Sequence, residues 1–151
     1  MKFQKEILYM VMEDIEYLLK LHYQELTLHK EHIALDPDWE RYADLERAGK
    51  LLIFTARDEE RLVGYSVFFI NNHIHYKNNL FAVNDVLFLH PEYRKNSCGP
   101  RLIKFCDEEV SKLGKVKITW HVKVSRDFRP ILHRLGYVDE EVICGKMAGI
   151  Q

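Results

Sequence analysis

Between residues 81 and 124 the spacing of apolar side chains changes twice, and that change constrains the fold more than any other feature. Phe81–Leu89 is a β-rich run that ends at His90-Pro91. Leu102, Cys106, Val110 and Leu113, with Ile103 and Phe105 beside them, then fall at helical spacing, predicting a helix from about Gly99 to Leu113, stopped by Gly114. Val116, Ile118, Trp120, Val122 and Val124 alternate strictly, which is a strand. A strand–helix–strand unit brings its two strands together in parallel through a right-handed crossover, so the chain needs a mixed α/β sheet.

The rest of the chain fits around this unit. Ile15, Leu18, Leu19, His22 and Leu26 predict an amphipathic helix over about residues 12–29. Asp36-Pro37-Asp38 marks a turn, with Asp38 as N-cap of a second helix from Trp39 to Ala48, closed by Gly49. Leu51–Ala56 and Leu62–Ile70 read as strands separated by the charged turn 57–61, and Asn71–Asn79 as a polar loop. Phe128–Leu135 reads as a short helix ended by Gly136, and Val138–Lys146 as a last strand. The predicted order is α-α-β-β-β-α-β-α-β, with room for a short strand ahead of the first helix. A chain of 151 residues at this complexity is expected to form one domain over 1–151.

The net charge of -1 conceals an asymmetry. Residues 1–60 carry 8 basic and 14 acidic side chains, whereas residues 90–134 carry 11 basic and 5 acidic ones, a local +6. The low total argues against nucleic acid, whose binding rests on phosphate neutralisation. An α/β module reading RNA through the basic segment would also need a set of stacking aromatics interleaved with that charge, a pattern this segment lacks. No apolar run approaches a membrane span, and Glu6, Glu13, Asp14 and Glu16 interrupt the N-terminal stretch, against a signal peptide. Cys98, Cys106 and Cys144 form neither a CxxC nor an even set, pointing to a reducing cytoplasm. His29-x-x-His32 and His73-x-His75 lack further ligands at recognisable spacing, so no metal is expected.

The chemistry concentrates in Leu87-Phe88-Leu89-His90-Pro91-Glu92-Tyr93-Arg94-Lys95-Asn96-Ser97-Cys98-Gly99-Pro100-Arg101. A strand ends there and a short polar loop opens a helix, whose unpaired N–H groups and partial positive charge suit phosphate. Arg94, Lys95 and Arg101 add charge, and Pro100 is tolerated in the first turn. Many such corners bind nothing, and the residues alone leave both readings open.

Arg94-Lys95-Asn96-Ser97-Cys98-Gly99 resembles the Arg/Gln-x-x-Gly-x-Gly/Ala pattern of the GNAT superfamily of acyl-CoA-dependent N-acetyltransferases. Pro91-Glu92-Tyr93 before it, the element order and Leu135-Gly136-Tyr137 are similar to that family too, and the whole is similar to small GNAT domains met in phage genomes. The resemblance implies the acyl-CoA N-acyltransferase fold, with acetyl-CoA as co-substrate and direct acetyl transfer to an amine of a small molecule or peptide. It implies that Leu87, Phe88 and Leu89 hold the pantetheine arm in a gap between Phe81–Leu89 and Val116–Val122. Residues 94–101 would then surround the pyrophosphate. Counting back from Gly136 sets Ser125 and Phe128 at two further cofactor positions of the family pattern and Leu132 at its tyrosine.

Two departures follow. Ser97 stands where the family has its first glycine, and its Cβ would resist a left-handed backbone. Leu132 lacks the hydroxyl that serves a departing thiolate. They leave a second expectation, a catalytically weak or inactive GNAT-fold protein that binds CoA or a partner protein. For proton transfer the candidates are Asp85, an acid in an apolar strand, His121 on the facing strand and His133 beside Leu132. Cys98 at a helix N-terminus also admits a covalent route, although no His–Asp partner lies near it in sequence. The acidic front favours a cationic acceptor such as a polyamine, an aminoglycoside or a lysine or N-terminal peptide. A monomer or homodimer is expected.

Overall fold

The computed structural model describes residues 1–150. Five strands form one sheet in the order β1-β2-β3-β4-β5. They are β1 (Lys2–Glu6), β2 (Leu51–Asp58), β3 (Arg61–His73), β4 (Tyr76–Leu89) and β5 (Val116–Trp120). Neighbours are antiparallel except β4 and β5, the parallel pair that the strand–helix–strand pattern requires. The helices are α1 (Leu8–Leu26), α2 (Trp39–Arg47), α3 (Cys98–Ser111) and α4 (Arg129–Arg134). The mixed α/β architecture expected from the sequence is the one observed.

Two cores sandwich the sheet. On one face α1 lays Leu8, Val11, Ile15 and Leu18 against Ile53, Tyr65, Val67 and Phe88, with α2 alongside. On the other, α3 packs Leu102, Cys106 and Val110 against Phe54, Phe68, Ala82 and Leu89. Alternation along β4 distributes its side chains: Val86 and Phe88 meet α1, Leu87 and Leu89 meet α3. Arg57 ties β1, β2 and α1 together. Its guanidinium donates to both carboxylate oxygens of Glu6 (3.0 and 3.2 Å), to Asp14 (2.9 Å) and to the carbonyl of Glu60 (2.8 Å).

Several boundaries move for identifiable reasons. Helix α1 starts one turn earlier than its apolar stripe suggests, because the Glu46 carboxylate accepts the Leu8 N–H at 2.8 Å. Asp38 caps α2 as expected, accepting the Arg41 N–H at 3.0 Å. The polar segment 71–79 is not a loop: β3 and β4 continue as a hairpin through it, with His73 stacked between Tyr76 and Phe81. Val138–Lys146 is not a strand, and takes no regular secondary structure. Strand formation needs a neighbour, and this segment pairs with none. Its start is held instead by Tyr137 donating to Asp107 and by Lys117 pairing with Glu140 at 2.8 Å.

Candidate functional site

The sheet opens where β4 outlasts β5. Leu80–Asn84 pair with Val116–Trp120, and beyond Asn84 the strand runs on to Leu89 without a neighbour on that side. A bulge sits at this point: Val67 pairs with Val86 but Phe68 with Asn84, leaving Asp85 as the extra residue. Asn84, fully buried, holds the bulge from within. Its Nδ2 donates to Ser66 Oγ (2.9 Å) and to the carbonyls of Val67 (3.2 Å) and Val86 (2.9 Å).

Past the bulge the main chain is directional. The His90 N–H bonds the Val63 carbonyl at 2.8 Å, so by antiparallel alternation Val86 and Phe88 turn their N–H and C=O groups towards β3. The N–H groups of Leu87 and Leu89 therefore face the open side. Phe88 contributes its side chain to the opposite face, where it packs under His22 (5.2 Å between ring centroids) and Arg94 (5.3 Å).

After a 3₁₀ turn at Pro91–Tyr93, the chain enters α3 at Cys98. Among the described residues, the main-chain N–H groups of Asn96, Ser97 and Cys98 make no hydrogen bond, and Ser97 offers no side-chain cap. They are the free donors of a helix start, suited to phosphate oxygens. Ser97 has φ −69°, so this loop needs no left-handed residue there, and the backbone objection to serine falls. Gly99 lies against Leu89, where a Cβ would make only an ordinary contact at 3.7 Å.

The charged side chains of the loop divide. Lys95, Asn96 and Pro100 are exposed beside the free N–H groups. Arg101 instead lies over Phe3, 5.0 Å from the ring centroid. Arg94 turns to α1 and grips Glu25 through both guanidinium nitrogens (2.6 and 2.8 Å), while its Nε donates to the Leu89 carbonyl at 2.7 Å. Arg126 joins the same Glu25 at 2.9 Å. The hydrogen bonds from Arg94 hold the Glu25 carboxyl below its ordinary range. Cys98 points into the core, and burial raises its thiol pKa, which removes the thiolate a covalent route needs.

Asp85 projects on the α1/α2 side of the opening. Its side chain reaches solvent, yet the protein around it raises the carboxyl above its usual range, with His121 and Lys123 pulling the other way. Asp85 in turn pushes up the hydroxyls of Tyr42 and Tyr65, already raised by burial. His22 Nδ1 lies 3.1 Å from the Tyr65 hydroxyl, and burial lowers the imidazole, with Lys123 acting in the same sense. Asp85, His121, Lys123, Tyr42, Tyr65 and His22 thus surround one end of the opening. His133 is elsewhere, paired with Asp139 at 2.8 Å on α4. Ser125 is exposed in the turn after β5, and Phe128 packs edge-on to Trp120.

His22, Tyr65 and Glu25 carry no functional signal in the sequence. His22 sits at a helical spacing that reads as core, and Tyr65 within an apolar strand. Glu25 had no local signal, because its partners lie 69 and 101 positions along the chain.

An aminoglycoside acetyltransferase from an uncultured soil metagenomic sample superposes with a TM-score of 0.71 at 16% identity, covering 99% of this chain and 96% of its own. Glucosamine-6-phosphate N-acetyltransferase from Arabidopsis thaliana gives 0.73 at 12% identity, covering 97% of each chain. A predicted acetyltransferase with acetyl-CoA from Clostridium acetobutylicum gives 0.65 at 14% identity, covering 97% and 95%. At such identities the likeness is one of fold. No curated protein sequence matches. Residues 13–137 match the Acetyltransferase (GNAT) family, most of the chain and all of the open-strand corner. With the sheet that splits beside β4 and the helix start beyond it, this match makes the chain a member of the GNAT acetyltransferase family.

Proposed function

We propose that the protein is an acetyl-CoA-dependent N-acetyltransferase that passes the acetyl group directly to a primary amine. The observation that carries this reading is a set of unpaired main-chain donors on the strand end and the helix start, with one carboxylate at the bulge. The donors are the free N–H groups of Leu87 and Leu89 and those of Asn96, Ser97 and Cys98, and the carboxylate is Asp85. These residues fit the cofactor that the family uses. When bound, acetyl-CoA supplies an acetyl group already activated as a thioester.

The chain's own groups divide the remaining work. Asn96, Ser97 and Cys98 hold phosphate oxygens through their main chain, with Lys95 supplying charge. The Leu87 and Leu89 amides orient the donor and offer hydrogen bonds where negative charge develops. Asp85, its proton affinity raised by its surroundings, takes the proton from the acceptor ammonium and, being exposed, passes it to water. His121 and Lys123 balance the carboxylate's charge. The Tyr65–His22 pair stays neutral at pH 7 and fixes the wall beside Asp85.

Millimolar acetyl-CoA is expected to raise the melting temperature by mass action, and thiol release with an amine panel then reports transfer. No thermal shift would overturn the reading. A second reading, a CoA-binding GNAT protein without turnover, draws on Leu132, whose apolar side chain is buried and offers no hydroxyl. A thermal shift without thiol release would select it.

A further inference from the structure

Beneath the segment joining α1 to α2 lies a cavity of about 250 Å³. Ile15 and Leu19 of α1, Trp39 and Tyr42 of α2, and Tyr65 and Val86 of the sheet form its walls. No lysine or arginine lines it, and Asp36 is its one acidic residue. Ile33, Ala34 and Leu35 make a roof, which Tyr23 pins by donating its hydroxyl to the carbonyls of Ile33 (2.7 Å) and Lys30 (3.2 Å). Val86 lines the cavity's sheet end, and Asp85, which precedes it in the chain, acts on the hydroxyls of Tyr42 and Tyr65 in the cavity walls.

We infer, resting on the acetyltransferase reading above, that the acceptor is a small primary amine on an apolar body, of the arylalkylamine class, with its ring in this cavity and its nitrogen at Asp85. Volume decides the first point. An apolar cavity of about 150 Å³ is enough to take benzene, so 250 Å³ holds one aromatic ring with a short aliphatic arm. Several linked sugar rings do not fit. Charge decides the second. A polyamine would bring several cations to a largely apolar slot whose nearby carboxylates are Asp36 in its lining and Asp85 beside Val86, leaving further cations without a partner.

Several acidic residues of the N-terminal region are engaged in holding the fold. Glu6 and Asp14 hold Arg57, Glu25 holds Arg94 and Arg126, and Glu46 caps α1. Part of the acidity that favours a polycation in the sequence is thus spent on structure. What remains at the site is an aromatic slot with Asp36 in its lining and Asp85 beside its sheet end.

The test compares 2-phenylethylamine, spermidine and kanamycin as acceptors, with the wild-type protein and an Ala34→Phe variant that fills the cavity from its exposed roof. We expect kcat/KM for 2-phenylethylamine at least tenfold above the other two. Ala34→Phe should raise its KM at least tenfold, with kcat and the thermal shift by acetyl-CoA unchanged. Equal or better turnover of spermidine or kanamycin overturns the inference, as does an unchanged KM in the variant. A missing acetyl-CoA shift instead overturns the underlying reading. If acetyl-CoA binds but no amine turns over, calorimetric titration with 2-phenylethylamine decides: binding lost in Ala34→Phe supports the slot, and no binding to the wild type overturns it.

Discussion

Replacing Arg57 by methionine tests what holds the N-terminal strand and α1 to the sheet. The Arg57 side chain is 10% exposed and Glu6 is 11% exposed, so the variant leaves a nearly buried carboxylate whose remaining side-chain partner is the Thr55 hydroxyl. Removing one member of a buried pair costs about 3–5 kcal/mol. The Asp14 side of the knot is 48% exposed, which lets water compensate and favours the lower end, about 3 kcal/mol. At about 2–4 °C per kcal/mol for a chain of this size, Tm should fall by about 6–12 °C. Burial alone would raise the Glu6 pKa, but the hydrogen bonds from Arg57 and Thr55 outweigh it and hold the carboxyl low. Its folded value lies below its unfolded one, so its contribution is present above the unfolded pKa and disappears as pH falls through the folded value. The deficit of the variant should therefore be large at pH 7 and small near pH 3. Adding Glu6→Gln should recover about 1.5–3 kcal/mol relative to additivity, because it removes the orphaned charge. Chemical denaturation of the four proteins of this cycle at both pH values measures each term. Additive losses, or the same deficit at both pH values, would refute the reasoning.

Asp85→Asn should lower the acetyl-transfer rate by about 10²–10⁴-fold while Tm at pH 7 stays equal or rises. The raised folded pKa means that ionised Asp85 is disfavoured on folding, and stability falls as pH climbs through that value; a rate within twofold of wild type removes Asp85 as base. His22 is lowered in the folded state, so stability should fall as pH drops below about 6.5. His22→Phe should flatten that limb of a Tm-against-pH curve, and an unchanged slope counts against a neutral Tyr65–His22 pair. Gly64→Ala would place a Cβ 3.1 Å from the Phe88 carbonyl oxygen and 2.7 Å from Leu89 Cδ1. The leucine can rotate but the backbone must shift, costing about 1–3 kcal/mol or roughly 2–12 °C, together with a higher KM for acetyl-CoA. An unchanged Tm and KM would show that β4 yields freely.

How much of this was legible in the sequence depends on the range of the forces involved. The β4–α3–β5 unit announced itself because periodicity is local, and Asp38 and Gly49 marked the ends of α2 for the same reason. Even so, β5 ends at Trp120 and leaves His121, Val122 and Val124 outside the expected strand. Asp85 stood out as an acid in an apolar strand, although nothing in the sequence reveals that it occupies a bulge. Val138–Lys146 alternates like a strand, but pairing depends on an edge that alternation cannot supply. The hairpin through 71–79 was hidden by its asparagines and histidines, which cross-strand stacking holds in register. Arg94 is the instructive case. Its place in the loop motif suggests a phosphate ligand, whereas its side chain is taken by Glu25, a partner that only the fold brings near. The loop's free main-chain N–H groups, with the exposed Lys95, are what it leaves open to a ligand.

The bulge has a consequence for how this chemistry came to be housed. If Asp85 is skipped, Val83, Asn84, Val86, Leu87, Phe88 and Leu89 alternate without interruption between the two faces of the sheet. The strand is grammatical without its acid. The carboxylate is a single inserted letter, carried at one point of an otherwise ordinary strand and anchored there by the amide of Asn84. Deleting residue 85 should restore regular β3–β4 pairing and leave both cores intact, giving a folded protein without the proposed base. In this chain the scaffold and the proposed base are separable at the level of one codon.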